Sequence, residues 1–146
     1  MGNNSLIVKR EYNASIEKVW DAITNIEKMK SWYMPELKNF LPVVGFQTEF
    51  SMTHEGKVFP HIWKVTEVIP KEKISYEWRY KGYPGNSLVT FDLQSEGNKT
   101  NLTLTHSGLE TFQPEKYPEL DRKQFEEGWN SLLNDLLVKF LESNSD

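Results

Sequence analysis

Residues 121–142, DRKQFEEGWNSLLNDLLVKFLE, decide how the rest of the chain is read. Phe125, Trp129, Leu132, Leu133, Leu136, Leu137, Phe140 and Leu141 recur at steps of four, three and one, the period of an amphipathic helix. At 1.5 Å per residue such a helix is roughly 33 Å long, enough to cross a small domain. An apolar face that wide needs a cover, and the strand-like segments before it are what the chain offers. A curved sheet wrapped around this helix, with the functional surface between them, is the expected architecture.

Working back from the helix, Ser107 to Leu120 is irregular, broken by Gly108, Pro114 and Pro118, and Asp121 is placed to cap the helix. Before it lie alternating rows typical of half-buried antiparallel strands. Thr100, Leu102, Leu104 and His106 form one, Val89, Phe91 and Leu93 another, and Ile74, Tyr76, Trp78 and Tyr80 the cleanest. The turns 81–86, 96–99 and 70–73 join these rows as successive hairpins, an antiparallel meander. Val58 to Ile69 is a further strand whose inward face is ambiguous, with Pro60 predicting an edge or a bulge because it cannot donate to a ladder. Phe46, Thr48, Phe50, Met52 and His54 share one face of the strand before that. Residues 32–46 form a loop rich in apolar side chains, expected either to cover a cavity mouth or to tuck against the core.

At the start, Ser5 to Tyr12 reads as a strand. Asn13 or Ser15 caps a short helix with Ile16, Val19, Trp20 and Ile23 on its apolar stripe. Thr24-Asn25-Ile26-Glu27 reads as a capping box opening a second short helix, with Ile26, Met29 and Trp32 inward. The tail from Glu142 to Asp146 is expected to fray. The class is α+β, with about six strands, and residues 1–146 fit one domain.

Composition narrows the function. A net charge of -4 with scattered Lys and Arg argues against nucleic acid as a partner. The absence of cysteine removes disulfides, thiolate nucleophiles and thiolate metal sites. No run approaches the ~18 apolar residues of a membrane span, and MGNNSLIVKREY lacks the basic-then-apolar layout of a signal peptide, so a cytoplasmic location is expected. His54, His61 and His106 show no helix-face spacing for a metal, and no metal or cofactor is assigned. Phosphate-loop, nucleophile-elbow and dinucleotide-binding patterns are absent. Glu49, Glu67, Glu77 and Asp92 lie on strands and read as solvated sheet-face charges.

Four stretches carry a family resemblance: NASIEKVWDAITNIEKMKSWY (13–33), TEVIPKEKISYEWRY (66–80), VTFDLQSEGNKTNLTLTHSGL (89–109) and EGWNSLLNDL (127–136). In these stretches the chain resembles the START-like helix-grip (SRPBCC) superfamily, in the branch of homologues of the activator of the heat-shock-protein-90 ATPase. The resemblance implies the helix-grip fold, an antiparallel sheet around a long C-terminal helix with two short helices after the first strand. It also implies a pocket between sheet and helix. The superfamily includes lipid carriers, hormone receptors, aromatase/cyclase enzymes and co-chaperone domains, so it fixes fold rather than function. Trp63-Lys64 departs from the family pattern, where a glycine often stands, and an inward Trp63 would narrow the pocket.

The expected pocket lining is Trp32, Tyr33, Phe50, Trp63, Tyr76, Trp78, Phe91 and Trp129, with Phe125 and with His106, Tyr76 and Glu126 as orienting polar groups. The competing expectation is that these aromatics fill the space themselves. The leading function is non-catalytic binding of a hydrophobic or aromatic small molecule or lipid, by a monomer or homodimer. One alternative is a protein-interaction module of the co-chaperone type. Another is a cyclase- or hydrolase-like enzyme using His106 and Glu126, which requires the two to be close and buried.

Overall fold

The computed structural model describes residues 5–143. Six strands run β1 (Leu6–Tyr12), β2 (Gln47–His54), β3 (Lys57–Ile69), β4 (Lys73–Tyr80), β5 (Ser87–Glu96) and β6 (Lys99–Ser107), and they form one antiparallel sheet in the order β1-β6-β5-β4-β3-β2. Two short helices, α1 (Ile16–Thr24) and α2 (Ile26–Trp32), follow β1. The C-terminal helix is α3 (Arg122–Ser131), a π-turn (Leu132–Leu136) and α4 (Leu137–Ser143). This is the expected helix-grip arrangement, a curved open sheet around a long helix.

The sheet follows from its side-chain alternation. Leu102, Leu104 and His106 of β6, Val89, Phe91 and Leu93 of β5, and Ile74, Tyr76, Trp78 and Tyr80 of β4 are all buried. Each large apolar side chain removed from water contributes about 1.5–3 kcal/mol, which is why the register is held so firmly. The Glu55-Gly56 turn of the β2–β3 hairpin has φ of 51° and 82°, the doubly left-handed backbone that matches strand twist and that glycine adopts without strain.

Of the two places expected for it, Pro60 takes a local edge and not the bulge. β3 is an interior strand, and its bulge falls at Val65/Glu67, where the Thr66 hydroxyl donates to the Ser75 carbonyl at 3.3 Å. Proline is tolerated because it stands just past the end of the β3–β4 pairing, which stops at His61↔Tyr80. Lys81 N–H donates to the Pro60 carbonyl at 2.9 Å, and the return bond is the one proline cannot make. The ambiguous face of β3 resolves with Phe59, His61, Trp63 and Val65 inward.

The helix caps are also local chemistry. Ser15 Oγ accepts from Lys18 N–H at 3.2 Å. The expected capping box at Thr24 is replaced by Asn25, whose side chain accepts from Glu27 N–H at 3.0 Å. Thr24 is unavailable because its hydroxyl donates back to the Trp20 carbonyl at 2.7 Å. Asp121 caps α3 as expected, accepting from Gln124 N–H at 2.9 Å.

In the π-turn, Leu137 N–H reaches back to the Leu132 carbonyl. Its ordinary α-helical acceptor, the Leu133 carbonyl, takes a 2.7 Å hydrogen bond from the buried Tyr12 hydroxyl. The end of β1 is thereby fastened to the middle of the C-terminal helix. Lys18 donates to the Leu141 carbonyl at 2.9 Å and ties α1 to the far end of α4. Of the tail expected to fray from Glu142, Glu142 and Ser143 instead complete α4, and residues 144–146 lie outside the described residues.

Candidate functional site

Most of the expected lining fills the interior instead of leaving it open. Trp63 does point inward, and its ring meets Tyr33, Phe50, Tyr76 and Trp78 with centroids 5.4, 4.8, 4.7 and 5.2 Å away. Phe91 packs beside Tyr33, Tyr76 and Trp129. Trp32 stacks on Tyr33 and donates its indole N–H to the Ala22 carbonyl at 2.8 Å. The hydroxyls of Tyr33 and Tyr76 share a buried 2.6 Å hydrogen bond, and burial raises both phenols well above their ordinary range.

His106 belongs to this filled region. Trp129 Nε1–H donates to His106 Nδ1 at 3.0 Å, so the ring proton sits on Nε2 and is directed to Ser87 Oγ at 2.8 Å. Ser87 in turn donates to the Trp78 carbonyl at 2.6 Å. Burial lowers the imidazole to about 3, so it is neutral at physiological pH.

Glu126 does not join His106. Its side chain is exposed, while the Glu126 carbonyl accepts from Asn130 Nδ2 at 2.9 Å. The reason is helical geometry, since one residue beyond Phe125 is about 100° around the helix and off the face that meets the sheet. Both nitrogens of His106 are already engaged, so the acid–base pair of the cyclase reading is not assembled.

An open cavity of about 370 Å³ does exist, at one end of the aromatic interior. Of the expected residues, Tyr33, Trp78, Phe125 and Trp129 line it, whereas Trp32, Phe50, Trp63, Tyr76, Phe91, His106 and Glu126 do not. Met34, Met52, Phe59, His61, Tyr80, Leu120, Gly128 and Leu132 complete its apolar body, and Thr53, His54, Glu119, Gln124 and Ser131 its rim. Its place follows from the fold. Once Pro60 ends the β3–β4 ladder, the β2–β3 hairpin runs on beyond β4, and α3 passes beneath the gap. The inward rows pointed at the right face, but their ends, Met52, Phe59 and Tyr80, line the cavity rather than their middles.

Two polar groups stand in the apolar wall. His61 is buried, its Nδ1 is 2.8 Å from the Phe59 carbonyl, and burial lowers it to about 4 against the opposing effect of that bond. Tyr80 Oη accepts from Trp78 Nε1 at 2.8 Å, and burial raises the phenol. At the mouth, Lys57 of the hairpin pairs with Glu119 ahead of α3. Their hydrogen bond raises the ammonium and lowers the carboxyl, so both are charged across the physiological range.

Of the two expectations for the loop after α2, the structure bears out tucking against the core. Met34, Leu37 and Phe40 are buried, with Tyr33 and Met34 on the cavity, while Leu41, Val43 and Val44 are exposed. Among the described residues no group of three or more His, Asp or Glu stands where it could hold a metal ion, and no helix is long and apolar enough to cross a membrane.

Comparison with known proteins agrees with this geometry. A family model described as Activator of Hsp90 ATPase homolog 1-like protein matches residues 13–142. The chain belongs to that family. The helix-grip fold places it in the START-like superfamily. No curated protein matches the chain. Among solved structures, protein MLL2253 from Mesorhizobium loti is 26% identical, with a TM-score of 0.73 over 98% of this chain and 99% of that one. CalU16 from Micromonospora echinospora is 24% identical, with a TM-score of 0.69 over 94% of this chain and 75% of that one. A protein from Arthrobacter aurescens is 17% identical, with a TM-score of 0.78 over 97% of this chain and 88% of that one. The last two are likenesses of fold alone. The cavity is the feature that sets this interior apart from a solid core.

Proposed function

We propose that the protein is a non-catalytic carrier or sensor that binds a hydrophobic or aromatic small molecule, or a lipid, in the cytoplasm. The observation that carries this reading is the cavity between the β2–β3 hairpin and α3, walled by aromatic and methionine side chains. At about 370 Å³ it falls at the small end of the ~300–1,000 Å³ typical of ligand sites. Affinity comes from burying apolar ligand surface at about 25 cal/mol per Å². His106 serves the fold by holding Trp129, and no catalytic residue is assigned.

Gly128 supplies a direct test. It lies on the cavity between Gln124 and Leu132, one helical turn from each, and a Cβ added there meets nothing within 4 Å. Gly128→Phe therefore sets an aromatic ring at the cavity opening without clashing at its root, and replacing a helical glycine by phenylalanine favours the helix by a few tenths of a kcal/mol. Native mass spectrometry and tryptophan-fluorescence titration with a panel of lipids and aromatic metabolites are expected to show saturable binding to the wild type, lost in Gly128→Phe with stability retained. Binding that survives the substitution, or no compound binding the wild type, would reject the reading.

A second reading, a protein-interaction module, draws on the loop carrying exposed Leu41, Val43 and Val44. It gains if the wild type binds none of the compounds and a protein partner is lost on replacing these three residues by serine.

A further inference from the structure

The two polar groups in the cavity wall narrow the class of ligand, provided the cavity is a ligand site at all. We infer that it selects an uncharged compound bearing a hydroxyl group, phenolic or alcoholic, which donates to His61 Nε2 and accepts from the Tyr80 hydroxyl. The donor and acceptor roles are set by the protein. A carbonyl only accepts, so the 2.8 Å contact between His61 Nδ1 and the Phe59 carbonyl puts the ring proton on Nδ1. His61 Nε2 is left as a lone pair. It takes no hydrogen bond among the described residues, and it is not among the sealed, unpartnered atoms, of which Trp63 Nε1 is the example. It therefore opens on the cavity that its ring lines.

Tyr80 offers the complementary group. Its oxygen accepts from Trp78 Nε1–H, and a phenol that accepts one bond still has its own O–H to donate. That proton makes no hydrogen bond among the described residues. The His61 and Tyr80 rings meet edge to face with centroids 4.7 Å apart, so the vacant acceptor and the vacant donor stand on one wall. A ligand hydroxyl both donates and accepts, and answers both.

Charged ligands fit poorly. The lining contains no Lys or Arg, and burial keeps His61 neutral at physiological pH. A carboxylate would meet one donor and one lone pair, and would lose its hydration without a counter-charge. An ammonium would find a carboxylate only in Glu119, already paired with Lys57. A pure hydrocarbon fits the walls but leaves both polar groups unanswered.

The test compares three probes of one shape, naphthalene, 2-naphthol and 2-naphthoate, titrated into the full chain at pH 7 and followed by protein-observed NMR. The expected result is 2-naphthol binding about tenfold more tightly than naphthalene, one hydrogen bond's worth of selectivity, with 2-naphthoate weakest. In Tyr80→Phe and His61→Phe the naphthol-to-naphthalene ratio is expected to fall toward one. Tyr80→Phe preserves the shape of the wall, so it answers the question even where His61→Phe disturbs folding. Naphthoate binding as tightly as naphthol, or a ratio unchanged in Tyr80→Phe, overturns the hydroxyl selectivity while leaving the cavity a ligand site. Failure of all three probes to shift any cavity resonance overturns both.

Discussion

The histidines differ in what surrounds them, and for the two buried ones burial ties folding to pH. His54 is exposed at the hairpin, whereas His61 and His106 are buried and lowered to about 4 and about 3 by desolvation. In the unfolded chain both titrate near 6.5. Because their folded pKa is depressed, the unfolded chain takes up the protons first. Their contribution is fully present above about pH 6.5 and is lost progressively as pH falls toward 4 and then 3. Between pH 7 and pH 5 each is expected to remove about 2 kcal/mol of stability. Urea unfolding at the two pH values checks this, with His106→Asn showing the smaller loss. Which histidine would be buried was partly legible: His106 continues the Thr100, Leu102, Leu104 row and is buried at its end. The Trp129–His106–Ser87 chain was not legible, since Ser87 opens a strand and nothing local marks it as a partner for residues 19 and 42 positions away.

Among the elements, the meander and the two short helices could be read from alternation, turns and caps, because each is set by neighbouring residues. The cavity could not be placed so directly. Its position depends on where the β3–β4 ladder stops, which is a matter of pairing between Pro60 and Lys81 rather than of either strand's own pattern. The helix kept its expected bounds to within a residue, but its interruption was hidden. The Tyr12 hydroxyl answers the Leu133 carbonyl within that interruption. Tyr12→Phe keeps the ring buried and removes that donor, leaving a buried carbonyl unpaired at an expected cost of about 1–3 kcal/mol. Chemical denaturation measures the loss. A value near zero would mean that the wider turn satisfies its own backbone.

For the whole molecule, the order β1-β6-β5-β4-β3-β2 puts the pair β4–β5 at the centre and leaves β1 and β2 as edges of different kinds. β1 is held at its end by Tyr12 to the helix, while β2 runs to the cavity mouth with His54 exposed. Amide hydrogen exchange is therefore expected to be slowest in β4, β5 and β6, and fastest around 53–58, with β1 slower than β2. Exchange in β2 as slow as in β5 would show that the mouth is closed in solution. The helix crosses this whole span, and the π-turn governs how it does so. Phe125, Trp129, Leu133, Leu137 and Leu141 follow one another at steps of four, which in an unbroken α-helix turn by about 40° too far at each step. From Trp129 to Leu141 the error would reach roughly 120°, and one of these two would face away from the sheet. The π-turn takes up one residue's rotation, about 100°, and reduces the error to about 20°. Trp129, Leu133, Leu137 and Leu141 are accordingly all buried. The helix thus works as two segments set in phase by a phase-correcting turn, with the cavity residues reaching as far as its first residue, Leu132, and the packing residues Leu137 and Leu141 beyond it.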